Sequence, residues 1–134
     1  MKNIIIKTVL DSHQRYNTVG DYYKDESGNQ TFVVSDMNNW KYEFLVALHE
    51  MIESALCTDR GISDDTIDAF DFDFEKHRIT AGVVSEPGNS PNAPYYKEHQ
   101  FSLEIEKQVA KELGVNWELY NTVIEKLDRN QEVI

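Results

Sequence analysis

An α+β domain is expected from this sequence: N-terminal antiparallel strands with a hairpin, then two long packed helices, a short acidic helix and a C-terminal helix. Three observations predict it. Residues 1–35 hold Ile-, Val- and Tyr-rich runs broken by turn signals, the pattern of short strands. Residues 40–57, WKYEFLVALHEMIESALC, form the longest apolar run and contain neither Gly nor Pro, which reads as a buried helix. From residue 94 onward, apolar side chains recur at i, i+3 and i+4, the helical period.

Composition bounds the function classes. A chain of 134 residues with two Trp, seven Tyr and six Phe makes one globular domain with a single core. The net charge of −11 comes with no basic stripe, which argues against nucleic-acid phosphates and anionic membrane surfaces as partners. A protein or peptide partner remains compatible with it. One cysteine excludes an internal disulfide framework and fits a reducing compartment. The opening MKNIIIKTVL reads as a strand and not as a signal peptide, and no run reaches the length of a membrane span. A cytoplasmic location follows as the expectation.

Taken in order, residues 3–10 and 15–24 suit two strands, and the turn DESGN at 25–29 leads into a third at 30–35, making a hairpin. Its outer strand is a candidate open edge. Asp36 or Asn39 can cap the helix over 40–57. On its wheel, Phe44, Leu45, Leu48, Met51, Ile52, Ala55 and Leu56 make a broad apolar face, with His49 and Glu53 at its edge. Gly61 can stop this helix. Ser63 can cap a short acidic helix over 63–76 whose buried side is Ile67, Phe70 and Phe74, although the alternation from Phe70 to Phe74 also suits a strand. Its carboxylates, Asp64, Asp65, Asp68, Asp71 and Asp73, lack the glycine and the terminal bidentate Glu of a calcium loop, so a solvated acidic face is the better reading.

Residues 78–94 carry three prolines and two glycines and read as a long loop, either a lid or a surface wrap. The second long helix, over 94–113, buries Tyr95, His99, Ser102, Glu106, Val109, Ala110 and Leu113. The last, over 116–128, starts at a cap on Asn116 and buries Trp117, Tyr120, Val123, Ile124 and Leu127; a frayed tail follows Asp128.

Both long helices therefore carry a His and a Glu on or beside the side that packs. Burying a carboxylate without a partner costs several kcal/mol, so these groups should meet one another or share a cation. His49 and Glu53 at i, i+4 project side by side, a spacing suited to one metal ion. His99 would complete a three-ligand site. Glu106 is a further ligand candidate, and Glu98 or Glu106 an orienting partner. Glu50, rotated about 100° from His49, is then either a group supporting the ligands or a general base for water, against the plainer reading of a surface residue. Cys57 is a weaker ligand candidate, better read as a small buried residue. His13 and His77 read as solvated turn residues, and Tyr95 and Tyr96 as packing residues whose hydroxyls can face a site.

The motif HEMIE is one residue from H-E-x-x-H, and in this it resembles the zincin metallopeptidases. The order of strand, hairpin edge and metal-binding helix is also that of the smallest zincin-like domains. The resemblance implies His49 as first ligand, Glu50 as base, Glu53 where the second His belongs, and His99 as the downstream ligand. The departure adds a negative charge at the ion, which widens the expected divalent metal from zinc to manganese or iron. The wider pattern LHEMIE…LC…GIS, then EPGN…PNAPYYKEH…IE, looks like a family of small uncharacterised bacteriophage-encoded proteins over about residues 45–114. That resemblance implies a host-cell cytoplasm as the setting and assigns no reaction.

Two functions follow from these residues. One is a metal-dependent hydrolase, a degenerate zincin-like peptidase. The other is a noncatalytic acidic phage accessory protein that binds a partner, its His–Glu cluster a buried structural network. A di-iron bundle ranks third, because the Glu-x-x-His spacing is absent.

Overall fold

The computed structural model describes residues 3–81 and 86–132, with side chains described for 3–78 and 86–127. It is an α+β fold: a three-stranded sheet followed by four α-helices. Strands β1 (Ile4–Val9), β2 (Gly20–Lys24) and β3 (Gln30–Ser35) lie in the order β1-β3-β2. β2 and β3 form the expected antiparallel hairpin, with Gly20 opposite Val34 and Lys24 opposite Gln30. The Asp25 carboxylate closes its turn by accepting from the amides of Ser27 and Asn29, and Gly28 supplies the positive φ of 83° that the turn requires.

The sheet departs from a wholly antiparallel one at β1, which runs parallel to β3, Ile4 beside Gln30 and Val9 beside Ser35. The cause is the order of the strands. β3 carries no charged residue and is buried along its whole length, so it takes the centre. β1 and β2 then flank it from opposite edges, and residues 10–19 carry the chain across. β1 is left as an edge strand with Ile4, Ile5 and Ile6 exposed.

Helix α1 (Trp40–Asp59) starts on Asn39, whose side chain accepts from the amides of Lys41 and Tyr42. It stops at Gly61 (φ 71°), where Ile62 N–H donates to the Cys57 carbonyl and Gly61 N–H to that of Thr58, the paired bonds of a Schellman motif. The face expected to be buried is not the one that packs. Phe44 and Ala55 are exposed and Leu48, Met51, Ile52 and Leu56 half-buried, whereas Leu45, Val46, Ala47, His49, Glu53, Ser54 and Cys57 are buried. The helix is held between the sheet and the later helix α3 (Tyr96–Glu112). The arc facing both carries polar residues whose partners lie on those neighbours, and a hydropathy wheel cannot count partners.

α2 (Asp64–Ala81) runs past the expected end at 76, and the Phe70–Phe74 stretch is helical. Thr66 N–H donates to the Ser63 hydroxyl at its start. Residues 78–81 of the expected loop thus finish this helix; 82–85 lie outside the described residues, and a 3-10 turn, Pro87–Asn89, leads on to α3. At Gly114 (φ 69°) Val115 N–H donates to the Ala110 carbonyl. α4 (Trp117–Glu132) continues as helix where a frayed tail was expected, and the Asn116 side chain accepts from Leu119 N–H at its start.

Two apolar clusters fill the interior. One joins Val19, Val34, Leu45, Val46, Ala110, Tyr120 and Ile124; the other joins Tyr22, Phe32, Cys57, Ile67, Ala93 and Tyr95. Tyr120 from the first and Tyr22 from the second reach the same polar site. Among the described residues no helix is long and apolar enough to cross a membrane.

Candidate metal centre

α1 and α3 bring His49, Glu53 and His99 together, all three buried. His49 Nε2 lies 3.0 Å from Glu53 Oε2 and 3.1 Å from His99 Nδ1, and His99 Nδ1 lies 2.8 Å from the same Oε2. Ligand atoms on one tetrahedral ion at 2.0–2.1 Å stand about 3.3–3.4 Å apart. The triangle needs to open by only a few tenths of an ångström, so the group can hold a metal ion. Two imidazoles and one carboxylate are the donor set of both zinc hydrolases and open iron(II) sites.

The protons around this triangle can be counted. Tyr120 O–H donates to Glu106 Oε2 at 2.6 Å, and Glu106 Oε1 faces His49 Nδ1 at 2.8 Å. A carboxylate only accepts, so Nδ1 carries a hydrogen, and Nε2 faces the triangle with a lone pair in the neutral ring or with a second N–H in the protonated one. Tyr22 O–H donates to Glu53 Oε1 at 2.9 Å and leaves Oε2 for the centre. With His49 neutral, the His99 Nδ1 proton alone would separate three electron-rich atoms. Either a second proton on His49 or one cation resolves the crowding.

The electrostatics favour the second proton when no cation is bound. Burial pushes Glu53 up, but hydrogen bonds from His49 and His99 outweigh it and hold its carboxyl down at about 2. Burial favours neutral His49, yet its bonds to Glu106 and Glu53 raise its basicity well above the usual imidazole range. A cation entering the triangle therefore displaces protons.

A cavity of about 70 Å³ adjoins the triangle and is lined in part by Glu50, Asp71, Glu86, Gly88 and Tyr95, room for several water molecules. Glu50 is half-buried here, and burial together with the Glu53 charge raises its carboxyl well above the normal range. Two glycines shape the walls. A Cβ on Gly20 would stand 2.6 Å from Val46 Cγ1 and 2.8 Å from Glu50 Oε1. A Cβ on Gly88 would stand 2.4 Å from His99 Cγ and Nδ1. Gly88→Ala is accordingly expected to push the His99 ring off the triangle and weaken zinc binding by about tenfold or more; titration of wild type and variant against a chromophoric chelator checks it, and equal affinities would show the ring has slack.

Several candidates are placed elsewhere. Glu106 stands behind His49 and orients it instead of joining the triangle. Glu98 is buried but accepts from Arg60 at 2.6 Å. Cys57 lies against the Tyr22 hydroxyl, its thiol pushed up to about 12 by burial and by the Glu53 charge. His13 is exposed in a 3-10 turn, and exposed His77 belongs to α2, donating to the Asp73 carbonyl.

Asp71 is a correction to the solvated acidic face. It is buried, and accepts from Tyr16 at 3.0 Å and from Tyr95. Its neighbour one turn back, Asp68, pairs with Arg15 at 3.1 Å, and Arg15 also grips Asp21 at 2.7 Å. Tyr22, Tyr120, Glu86 and Gly88 went unread as site residues. Tyr120 sits on an ordinary apolar stripe, and the others lie far from the HEMIE helix in sequence, so no local spacing marks them.

No protein-family model, curated protein or solved structure matches the chain.

Proposed function

We propose that the protein is a metal-dependent hydrolase that cleaves peptide bonds, with His49, Glu53 and His99 holding one divalent ion, zinc or else manganese or iron. The observation that carries this reading is the close triangle of His49 Nε2, Glu53 Oε2 and His99 Nδ1 beside a cavity lined by Glu50. When bound, such an ion polarises a carbonyl and makes water more acidic. Glu106 and Tyr120 fix the His49 tautomer, and Tyr22 turns Glu53 so that one oxygen faces the centre. Glu50, which lines the cavity beside the triangle, takes the proton of the attacking water and passes it to the leaving amine as the C–N bond breaks. On the same reading the setting is the cytoplasm of a phage-infected cell.

The test is cleavage of a mixed peptide library read by mass spectrometry. Metal-loaded wild type is expected to cut, and Glu50→Gln to cut about 10²–10⁴-fold more slowly while binding metal normally. No cleavage by the loaded protein, or equal rates in the variant, would sink the hydrolase reading.

A second reading, a noncatalytic accessory protein that docks on a partner, is favoured by one surface. Exposed Ile4 lines an open groove with Phe32, Met51 and Ala55, an apolar feature in a chain of net charge −11. Direct His–Glu hydrogen bonds also suit a structural network.

A further inference from the structure

We propose that Glu86 is the positioning residue for His99, and that metal loading draws Glu86 onto the ring and fixes residues 86–90 beside the cavity. This rests on the metal-centre reading above and deepens it. His49 has its carboxylate behind the ring, Glu106, already bonded at 2.8 Å. His99 has one too. Its outward nitrogen, Nε2, points toward Glu86 Oε2 at 3.5 Å, and that buried atom has no hydrogen-bond partner among the described residues.

The tautomer explains the gap. Without a cation the His99 proton sits on Nδ1, where Glu53 Oε2 accepts it at 2.8 Å. Nε2 is then a bare acceptor facing a carboxylate, and two acceptors do not close. A cation taking the Nδ1 lone pair requires the proton to move to Nε2, which turns the same contact into an N–H donor and a carboxylate acceptor. A metal-ligating imidazole backed by a carboxylate is the usual supporting arrangement. The chain couples this bond to its surroundings: two residues beyond Glu86, Gly88 already packs against the ring with no room for a Cβ. A short approach by Glu86 therefore tightens the whole 86–90 turn against the site.

Glu86 is a suitable target because its side chain is 37% exposed, so its replacement spares the core. Zinc affinity is measured by chelator competition for wild type, Glu86→Ala and Glu86→Gln, and hydrogen exchange at Gly88, Asn89 and Ser90 is followed with and without zinc. Glu86→Ala is expected to bind zinc 10–100-fold more weakly. Glu86→Gln, which keeps an acceptor oxygen, is expected to recover part of that loss, an order that a merely structural role would not give. Zinc is expected to slow exchange at those amides in wild type and not in Glu86→Ala. Wild-type affinity in Glu86→Ala, or exchange in wild type that zinc leaves unchanged, overturns this proposal alone. Wild-type protein that binds no zinc overturns the metal centre, and the proposal with it.

Discussion

One zinc ion per chain is the expected stoichiometry for wild-type protein stripped with a chelator and reloaded, against none for His49→Ala and His99→Ala. Each substitution removes one of three donors, and each also takes a hydrogen-bond partner from a buried carboxylate. His49→Ala leaves Glu106 with Tyr120 and Glu53 with His99 and Tyr22, and breaking a buried pair in this way costs about 3–5 kcal/mol. Loss of binding must therefore be separated from loss of fold. His99→Gln and His49→Gln, which keep a polar side chain of similar reach, serve for that, with circular dichroism as the check. Loading should also raise wild-type thermal stability, because an ion that binds only the folded state at 100 times its Kd contributes about 2.7 kcal/mol. Binding should weaken as pH falls, since protons compete for the same lone pairs. Folded wild type without stoichiometric zinc, manganese or iron would end the metal-centre reading.

The second large effect lies at Asp71. Burial outweighs the hydrogen bonds from Tyr95 and Tyr16 and lifts its carboxyl from 3.8 to about 7. The unfolded chain thus loses this proton near pH 4 while the folded protein keeps it until near pH 7. The folded state binds more protons through that window, so stability falls as pH rises from about 4 to about 7 and levels off above. At about 1.36 kcal/mol per unit, the upper limit of the effect is roughly 4 kcal/mol. Asp71→Asn keeps an acceptor and a donor for the two tyrosine hydroxyls and does not ionise. In metal-free protein its melting temperature is expected to exceed that of wild type by most at pH 8 and by least at pH 5. A difference independent of pH would show that Asp71 titrates normally.

The local elements were legible where a local rule decides them. The hairpin turn follows from Asp25 and Gly28, the start of α1 from Asn39, and the two helix stops from Gly61 and Gly114, because capping and positive φ depend on a few adjacent residues. His49, Glu53 and His99 were legible as a group because buried charges demand partners, which is a constraint that survives ignorance of the fold. The packing face of α1 was not. Its apolar stripe through Phe44 and Ala55 faces outward, and the face carrying His49 and Glu53 faces inward, because their hydrogen-bonding partners Tyr22 on β2 and His99 and Glu106 on α3 offset the burial cost.

By itself the sequence determined the α+β class, the start of α1 at Asn39, the stops at Gly61 and Gly114 and the group His49, Glu53 and His99, all consequences of short-range sterics and of the cost of burying charge. Only the tertiary structure decided which carboxylate joins the triangle and which stands behind the ring, since Glu53 and Glu106 are chemically alike and differ only in which side of the His49 ring they occupy. It likewise decided that Asp71 is buried, that β1 lies parallel to β3, and that Glu86 and Gly88 meet His99. Those contacts join segments distant in the chain, and their energies depend on distances that no local spacing encodes.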